Sequence, residues 1–342
     1  MAVTITDVAR AAGVSTSTVS RALSLPDKVD PATRERVLRV AEHLGYHPNR
    51  AARGLITGRT GNLGLILPDL ANPFFPSLVK TVQRHAHRSD QQVLLMDTDE
   101  DPAAELPLVR SLVKQVDGII LCSPRMRPAD LREAASLSPT VLVNRKARGI
   151  PAVVFDNVEG MRRILAHLAG LGHAHVGFAG GPRSSWSSGE RLRGLRVAAA
   201  ELGVRLDELG HFAPTVAGGH DAAEGALLSG VTAVVAYNDL VAVGLCQALA
   251  EREVRVPDGL SVVGIDDIAL AAMVRPALTT LALPTEAAGR AAVDLLLQLL
   301  AGGADGRPPQ VGVAAELLVR GTTAGPASRS SPATRRRAPR RT

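Results

Sequence analysis

The sequence predicts an N-terminal three-helix helix-turn-helix domain joined to an α/β core of two parallel-sheet lobes. Three observations predict it. Two short helical patterns meet at Gly13-Val14-Ser15, and a third opens at Asp30-Pro31. From residue 61 onward, short β-rich runs alternate with helical stretches in two successive series. Finally, the charge is unevenly divided. Residues 1–60 hold nine Arg/Lys against five Asp/Glu, residues 326–342 hold six Arg and no acid, and the chain between them holds 24 against 28. A basic head on a mildly acidic body is the footprint of a polyanion-binding module.

At 342 residues the chain exceeds one ordinary domain. With 46% hydrophobic and 21% charged residues it can fill a sizeable core. Its longest apolar runs, at 231–237 and 295–301, fall short of the roughly 20 residues that a membrane helix needs. The first residues lack the basic and apolar regions of a secretory signal, so a cytosolic location is expected. The two cysteines, Cys122 and Cys246, form no C-x-x-C pair, which points to small core residues and not to a zinc site.

In the head, Thr4-Ile5-Thr6-Asp7 has capping-box spacing, and Gly13 stops the first helix. Ser15 is the expected N-cap of the second helix and Asp30, followed by Pro31, that of the third. Val8, Ala12, Val14, Val19 and Leu23 form the expected inner face, with Val37, Leu38, Ala41 and Leu44 as the buried stripe of the third helix. Thr16, Ser17, Ser20 and Arg21 are left on the free face of the second helix. Short hydroxyls and one arginine suit base edges in a major groove, the arginine bidentate to guanine.

The residues VTITDVARAAGVSTSTVSRAL at 3–23, TRERV at 33–37 and LGYHPNRAARGL at 44–55 closely resemble the DNA-binding head and hinge of the lactose-repressor (LacI/GalR) family. With later core motifs the resemblance spans about residues 3–323. It implies base reading by Thr16, Ser17 and Arg21, and a hinge helix over 49–56 with Leu55 wedged into the minor groove. Thr4, Ser20, Asn49, Arg50, Ala52 and Arg53 complete the expected DNA contacts. A segment of this length containing Gly54 is too short to be helical alone, so it should fold only against DNA and a partner hinge. An apolar wedge between base steps kinks the duplex. The expected divisions are a head over 1–48, hinge and linker over 49–60, a two-lobed effector-binding and dimerisation core over 61–325, and a disordered basic tail over 326–342.

In the core, strands are expected at 62–68, 92–97, 118–122 and 141–144. A second series follows at 152–155, 175–179, 233–237 and 260–265, and the chain then returns to the first half through 278–283, a helix at 287–300 and a strand at 316–320. The resemblance implies a periplasmic-binding-protein-like core. No P-loop, nucleophile elbow or dinucleotide fingerprint occurs, so no enzyme and no cofactor are expected. The pairs His85/His87 and His173/His175 lack companion ligands and are expected to be solvated or loop residues, with no metal.

Ligands in such folds lie at strand C-termini, between the lobes. The polar and aromatic groups found there give the candidate effector site: Asn72, Phe74, Phe75, Arg145, Asp156, Ser185, Trp186, Ser187, Arg191, Asn238 and Asp266. Phe74, Phe75 and Trp186 belong to a chain with one Trp, two Tyr and five Phe, and are expected in loops that stack on a flat or sugar-like ligand; the alternative is that Phe74 and Phe75 start a helix and pack under it. By the resemblance, Arg191 matches an effector-binding arginine and Asp266 the acid opposite it, while Phe75 and Asn238 match further cleft positions. Where relatives often place an aromatic, this chain has Ala213-Pro214, with Phe212 as the candidate substitute.

The expected function is a cytoplasmic, nucleoid-associated transcriptional regulator, a repressor that binds a palindromic operator as a homodimer under control of a small carbohydrate effector. The alternatives are control by a protein corepressor or a purine or nucleoside, and a sugar-binding transport protein.

Overall fold

In a computed structural model, the structure describes residues 3–24, 26–46, 58–303 and 308–326. The expected hinge residues Asn49, Arg50, Ala52, Arg53 and Leu55 and the expected tail from 327 lie outside these.

The head forms as its caps dictate. At the start of α1 (Ile5–Ala12), the Thr4 N–H and hydroxyl both donate to the Asp7 carboxylate, at 3.0 and 2.7 Å. Gly13 ends the helix in the left-handed region at φ 66°. The Ser15 hydroxyl accepts the Thr18 N–H at 3.1 Å and opens α2 (Thr16–Ser24), and Asp30 accepts from Thr33 at 3.0 Å to open α3 (Pro31–His43). Val8, Ala12, Val19, Val37 and Ala41 close the core. Arg36 ties α3 to α1 through a 3.1 Å bond to the Ala12 carbonyl. Leu38, expected in the buried stripe, is exposed instead. It lies about 100° around the helix from Val37, which together with Ala41 already fills the interface.

The first lobe runs β1 (Asn62–Leu67), α4 (Phe74–Arg88), β2 (Gln92–Asp97), α5 (Pro102–Leu112), β3 (Gly118–Cys122), α6 (Pro128–Leu137), β4 (Thr140–Val143) and β5 (Ala152–Phe155). The chain then crosses over. The second lobe runs α7 (Asn157–Gly170), β6 (His175–Gly180), α8 (Trp186–Leu202), β7 (Arg205–His211), α9 (Val216–Ser229), β8 (Ala233–Ala236), α10 (Asp239–Glu251), β9 (Ser261–Asp266), α11 (Ala269–Met273) and β10 (Thr279–Ala282). Helix α12 (Thr285–Leu300) returns to the first lobe. Strand β11 (Gln310–Val313) joins its sheet, and β12 (Glu316–Leu318) crosses back.

The sheet orders are β11-β5-β4-β3-β1-β2 and β12-β10-β9-β8-β6-β7, every pairing parallel except β10 with β12. Three crossings therefore link the lobes, at Asp156, at Leu283-Pro284 and at Ala314-Ala315.

Three local expectations change. Residues 152–155, expected to open the second series, pair with β4 in register Leu142↔Ala152 and belong to the first sheet. Their other edge is covered by β11, which arrives from the far end of the chain. Strand β7 was not anticipated, because an edge strand tolerates charges such as Arg205, Asp207 and Glu208 that mask its pattern. His173 lies in a loop as expected but is buried and not solvated, with its ring nitrogens 2.8 Å from the Thr232 hydroxyl and 2.8 Å from the Ala324 carbonyl, so it clamps the last described stretch of chain.

Helices α9 and α10 touch through glycine. A Cβ on Gly219 would run into the Val241 carbonyl, and one on Gly244 into the Val216 carbonyl. Only glycine permits backbones to pack so closely.

Candidate functional site

The strand C-termini of both lobes face one cleft, and the backbone is strained there. Ser123 after β3 (φ 45°), Asn144 after β4 (φ 57°), Asp266 at the end of β9 (φ 120°) and Asp267 (φ 56°) all occupy the region that disfavours side chains. Strain of this kind persists where surrounding structure enforces it, commonly at ligand sites.

Arg191, in the second turn of α8, is buried at the centre. Its Nε donates to Asn157 Oδ1 at 3.3 Å, its Nη1 donates to the Tyr237 carbonyl, and its Nη2 lies 3.8 Å from Asp266 Oδ1. Its guanidinium carbon stands 5.0 Å from the Tyr237 ring centroid, a cation–π contact. Arg191 and Asp266 thus meet as the sequence implied. Both sit on the second lobe, however, because α8 packs on the sheet that contains β9, so the pair lines one wall of the cleft and does not span it.

Asp239 is fully buried and accepts from the Thr280 hydroxyl at 2.6 Å and the Ile268 N–H at 2.9 Å, fixing the turn after β9 that aims Asp266. Burial, with Asp266 adding to it, pushes the Asp239 carboxyl well above the usual carboxylate range. Asp266 itself is pushed up to about 7 by burial, which the Arg191 charge only partly offsets. Between about pH 4 and pH 7 the folded chain therefore holds a proton on Asp266 that the unfolded chain has lost, so this residue makes stability fall as pH rises through that window. Thermal midpoints of wild type and Asp266→Asn across pH 4–8 should diverge accordingly, the variant losing less on going from pH 4 to 7; parallel curves would place Asp266 at an ordinary pKa.

Tyr237 is the residue that the sequence reading missed. Its hydroxyl lies 2.9 Å from Ser185 Oγ, 3.5 Å from Ser187 Oγ and 3.4 Å from Arg125 Nη2. Burial would raise the phenol, but the Arg125 and Arg191 charges and the hydrogen bonds to Ser185 and Ser187 together outweigh it and the net displacement is downward. Arg125, held by Glu100 at 2.8 and 2.9 Å, comes from the first lobe, so its bond to Tyr237 bridges the cleft. The signals available were that Tyr237 directly precedes Asn238 and that Arg125 follows a strand.

A cavity of about 20 Å³ remains here, lined by Asn72, Phe75, Asn144, Arg191, Asn238 and Asp266, with Phe74, Ser123, Arg125, Pro214 and Tyr237 around them. Asn144 donates to Ser123 Oγ at 3.0 Å, but its buried Oδ1 has no hydrogen-bond partner among the described residues. Such an acceptor awaits a donor.

Among the other expected residues, Asn72 Oδ1 accepts the Phe74 N–H at 3.1 Å and starts α4. Phe74 and Phe75 are buried in that helix, not held in a loop, with rings edge to face at 5.2 Å. Ser185 caps α8. Trp186 is the first residue of α8, half-buried, and packs against the first-lobe cluster that includes Ile66, Leu121 and Leu142, outside the small cavity. Asn238 caps α10 and donates to the Pro214 carbonyl at 3.1 Å. Arg145 donates to the Pro124 carbonyl at 2.6 Å and leaves a buried Nε without a hydrogen-bond partner among the described residues, outside the cavity lining. Asp156 is exposed and caps α7 through Glu159, away from the cavity. Phe212 packs against the second lobe's own apolar cluster, so it does not substitute as a stacking ring.

A larger groove of about 570 Å³ adjoins, at the crossings. Phe74 and Asp266 line both spaces.

On the head, Thr16, Ser17 and Arg21 are exposed along α2, and Ser20 is half-buried. Thr4 is exposed, with its hydroxyl turned onto Asp7.

Residues 4–49 match the model of bacterial regulatory proteins of the lacI family, and residues 165–323 that of a periplasmic binding protein-like domain. The chain is 36% identical over 300 residues to the HTH-type transcriptional regulator DegA of Bacillus subtilis (strain 168), covering 84% of this chain and 89% of DegA. The chain belongs to the LacI family of bacterial regulators. Among solved structures, this family member resembles the lac repressor dimer bound to operator and the anti-inducer ONPF, with TM-score 0.82, 28% identity and coverage of 95% and 100% of the two chains. It also resembles the transcriptional regulator CelR in complex with cellobiose, with TM-score 0.69, 30% identity and coverage of 94% and 99%. It is a LacI-family transcriptional regulator with a helix-turn-helix head and an effector-binding core of the periplasmic-binding-protein type. Among the described residues no helix is long and apolar enough to cross a membrane.

Proposed function

We propose that this LacI-family regulator is a cytoplasmic, nucleoid-associated repressor without enzymatic activity. As a homodimer it places α2 of each head in the major groove of a palindromic operator. Its operator affinity changes when a small carbohydrate effector occupies the cleft between the lobes. The observation that carries the effector reading is the convergence of Arg191, Asn238, Asp266 and Asn144, whose Oδ1 has no hydrogen-bond partner among the described residues, on one cavity at the strand C-termini. Donor and acceptor groups so mixed suit vicinal hydroxyls. The sugar-bound and operator-bound relatives support the same assignment. Thermal-shift screening of the full chain against sugars, nucleosides and purines tests it: a sugar should raise the midpoint in a concentration-dependent way and change operator affinity. Stabilisation by a purine alone would replace the carbohydrate by a nucleobase ligand.

For the head, Arg21→Ala should cost about 1–3 kcal/mol against the cognate operator and relax preference at one base position in each half-site. Titration of cognate and scrambled duplexes at fixed salt checks it; equal losses on both would make Arg21 a phosphate contact.

A further inference from the structure

We propose that Asp117 and Arg59 are positioning residues, which fix the point where the linker leaves the core and so set the half-site spacing that the dimer accepts in an operator. This rests on the reading that the two heads of a homodimer occupy the two halves of a palindrome.

The chain enters the first lobe through residues 58–61, and one carboxylate takes hold of it there. Asp117 Oδ1 accepts the Thr60 N–H at 2.6 Å and the Thr60 hydroxyl at 2.9 Å, and its Oδ2 accepts the Gly61 N–H at 2.9 Å. Two successive N–H groups aimed at one anion form a nest, and Gly61, at φ 71°, supplies the left-handed step of the turn. Bonds to an ionised acceptor are about twice as strong as neutral ones, and three of them converge here. The Thr60 hydroxyl in turn accepts the Asn62 N–H at 3.1 Å. One residue earlier, Arg59 Nη2 donates to the Leu300 carbonyl at 2.6 Å. Leu300 is the last residue of α12, where the terminal carbonyls lack partners within the helix and form the negative end of its dipole.

Both anchors stand on closely packed elements. Asp117 directly precedes β3, and a Cβ on Gly118 would stand 2.7 Å from Leu296 Cδ1 of α12. Further along α12, a Cβ on Gly289 would stand 2.9 Å from Thr81 Cγ2 of α4. The linker root is therefore tied to the body of the first lobe. The sheet itself does not require these bonds. The Gly61 carbonyl already accepts the Gln92 N–H at 2.9 Å and the Asn62 carbonyl the Asp117 N–H at 2.8 Å, so the strand is in place from residue 61 onward. What Asp117 and Arg59 add is to hold residues 59 and 60, on the head's side of the strand.

Two residues matter on the scale of DNA. An extended chain spans about 3.4 Å per residue, so releasing residues 59 and 60 gives each linker roughly 7 Å of further reach. One base pair inserted between half-sites moves them apart by about 3.4 Å and turns one relative to the other by about a tenth of a turn. A dimer with both roots clamped feels that change, whereas one with both released absorbs it.

A duplex selected by the wild-type full chain from a random-sequence library supplies the operator. Derivatives with one or two base pairs inserted or removed at its centre, titrated by fluorescence anisotropy at fixed salt, read the spacing preference. Wild type should lose about tenfold or more for a change of one base pair. Asp117→Asn, which sets an amide N–H against backbone N–H groups, should bring the same duplexes within about threefold of one another, with Arg59→Ala between the two. Thr60→Val keeps the shape of the side chain and deletes one of the three bonds to Asp117. It should narrow the preference while the thermal midpoint of the core stays within about 2 °C of wild type. Every variant should bind a duplex holding a single half-site as wild type does, because the head is untouched. A wild type indifferent to spacing, wild-type spacing preference in both Asp117→Asn and Thr60→Val, or an equal loss at every spacing would each overturn the proposal. Wild type binding the single half-site as tightly as the full operator would remove the two-headed reading itself.

Discussion

Arg191→Ala should weaken effector binding at least about 30-fold, about 2 kcal/mol, while operator binding in the absence of effector survives. The side chain makes no contact with the head, so its removal leaves base reading untouched. What it leaves behind is a buried Asp266 carboxyl with its neighbouring cation gone, together with an Asn157 Oδ1 and a Tyr237 carbonyl each missing a donor. Arg191→Lys keeps the charge but not the planar fork, and should fall between the two. Because effector and operator affinities are linked, the alanine variant should also lose the effector's influence on operator binding. Calorimetry with the best sugar from the screen, paired with operator titrations with and without it, reads both. Wild-type ligand affinity in Arg191→Ala would move the effector out of this cleft; a large drop in thermal midpoint would show that the arginine holds α8 to β8 and not a ligand.

Gly244→Ala should be among the most damaging single substitutions in the core. The new methyl would meet the Val216 carbonyl, which is backbone and cannot rotate away, so α9 and α10 must separate or the helix must bend. A cost of about 3 kcal/mol, at the upper end of overpacking penalties, is expected, or roughly 10 °C in the unfolding of the core. Gly189→Ala is the matched control. Gly189 lies in α8 with open space around its Cβ position, and should gain about 0.5–1 kcal/mol from lost unfolded-state freedom. Scanning calorimetry of the two variants decides the matter; equal midpoints would mean that the helices do not pack at glycine contact distance.

The head was legible because its information is local. Thr4, Ser15 and Asp30 cap helices whose apolar stripes can be read within one or two turns. The first-lobe strands were legible as short apolar runs, and the strand-end rule found Asn72, Arg191, Asn238 and Asp266. What escaped depends on strands far apart in sequence. Tyr237 matters because its hydroxyl meets Ser185 from the next strand and Arg125 from the other lobe, a meeting that no spacing encodes. The allegiance of residues 152–155 was fixed by β11, and Trp186 was read as a loop ring because Ser185 was not seen as the helix cap. Asp156 looked like a cleft residue for the same reason that it makes a good N-cap: it follows a strand and precedes a helix.

The placement of Trp186 has an optical consequence. It is the single tryptophan of the chain, it belongs to the second lobe, and it rests on the apolar cluster of the first. An indole in an apolar contact emits at shorter wavelength than one in water, so the separation of the lobes is written into the protein's own fluorescence. No dye or second label is required. Rapid mixing with a sugar would time the motion of the core on this one ring, and the same experiment on operator-bound protein would show whether the lobes move before the DNA is released or after it.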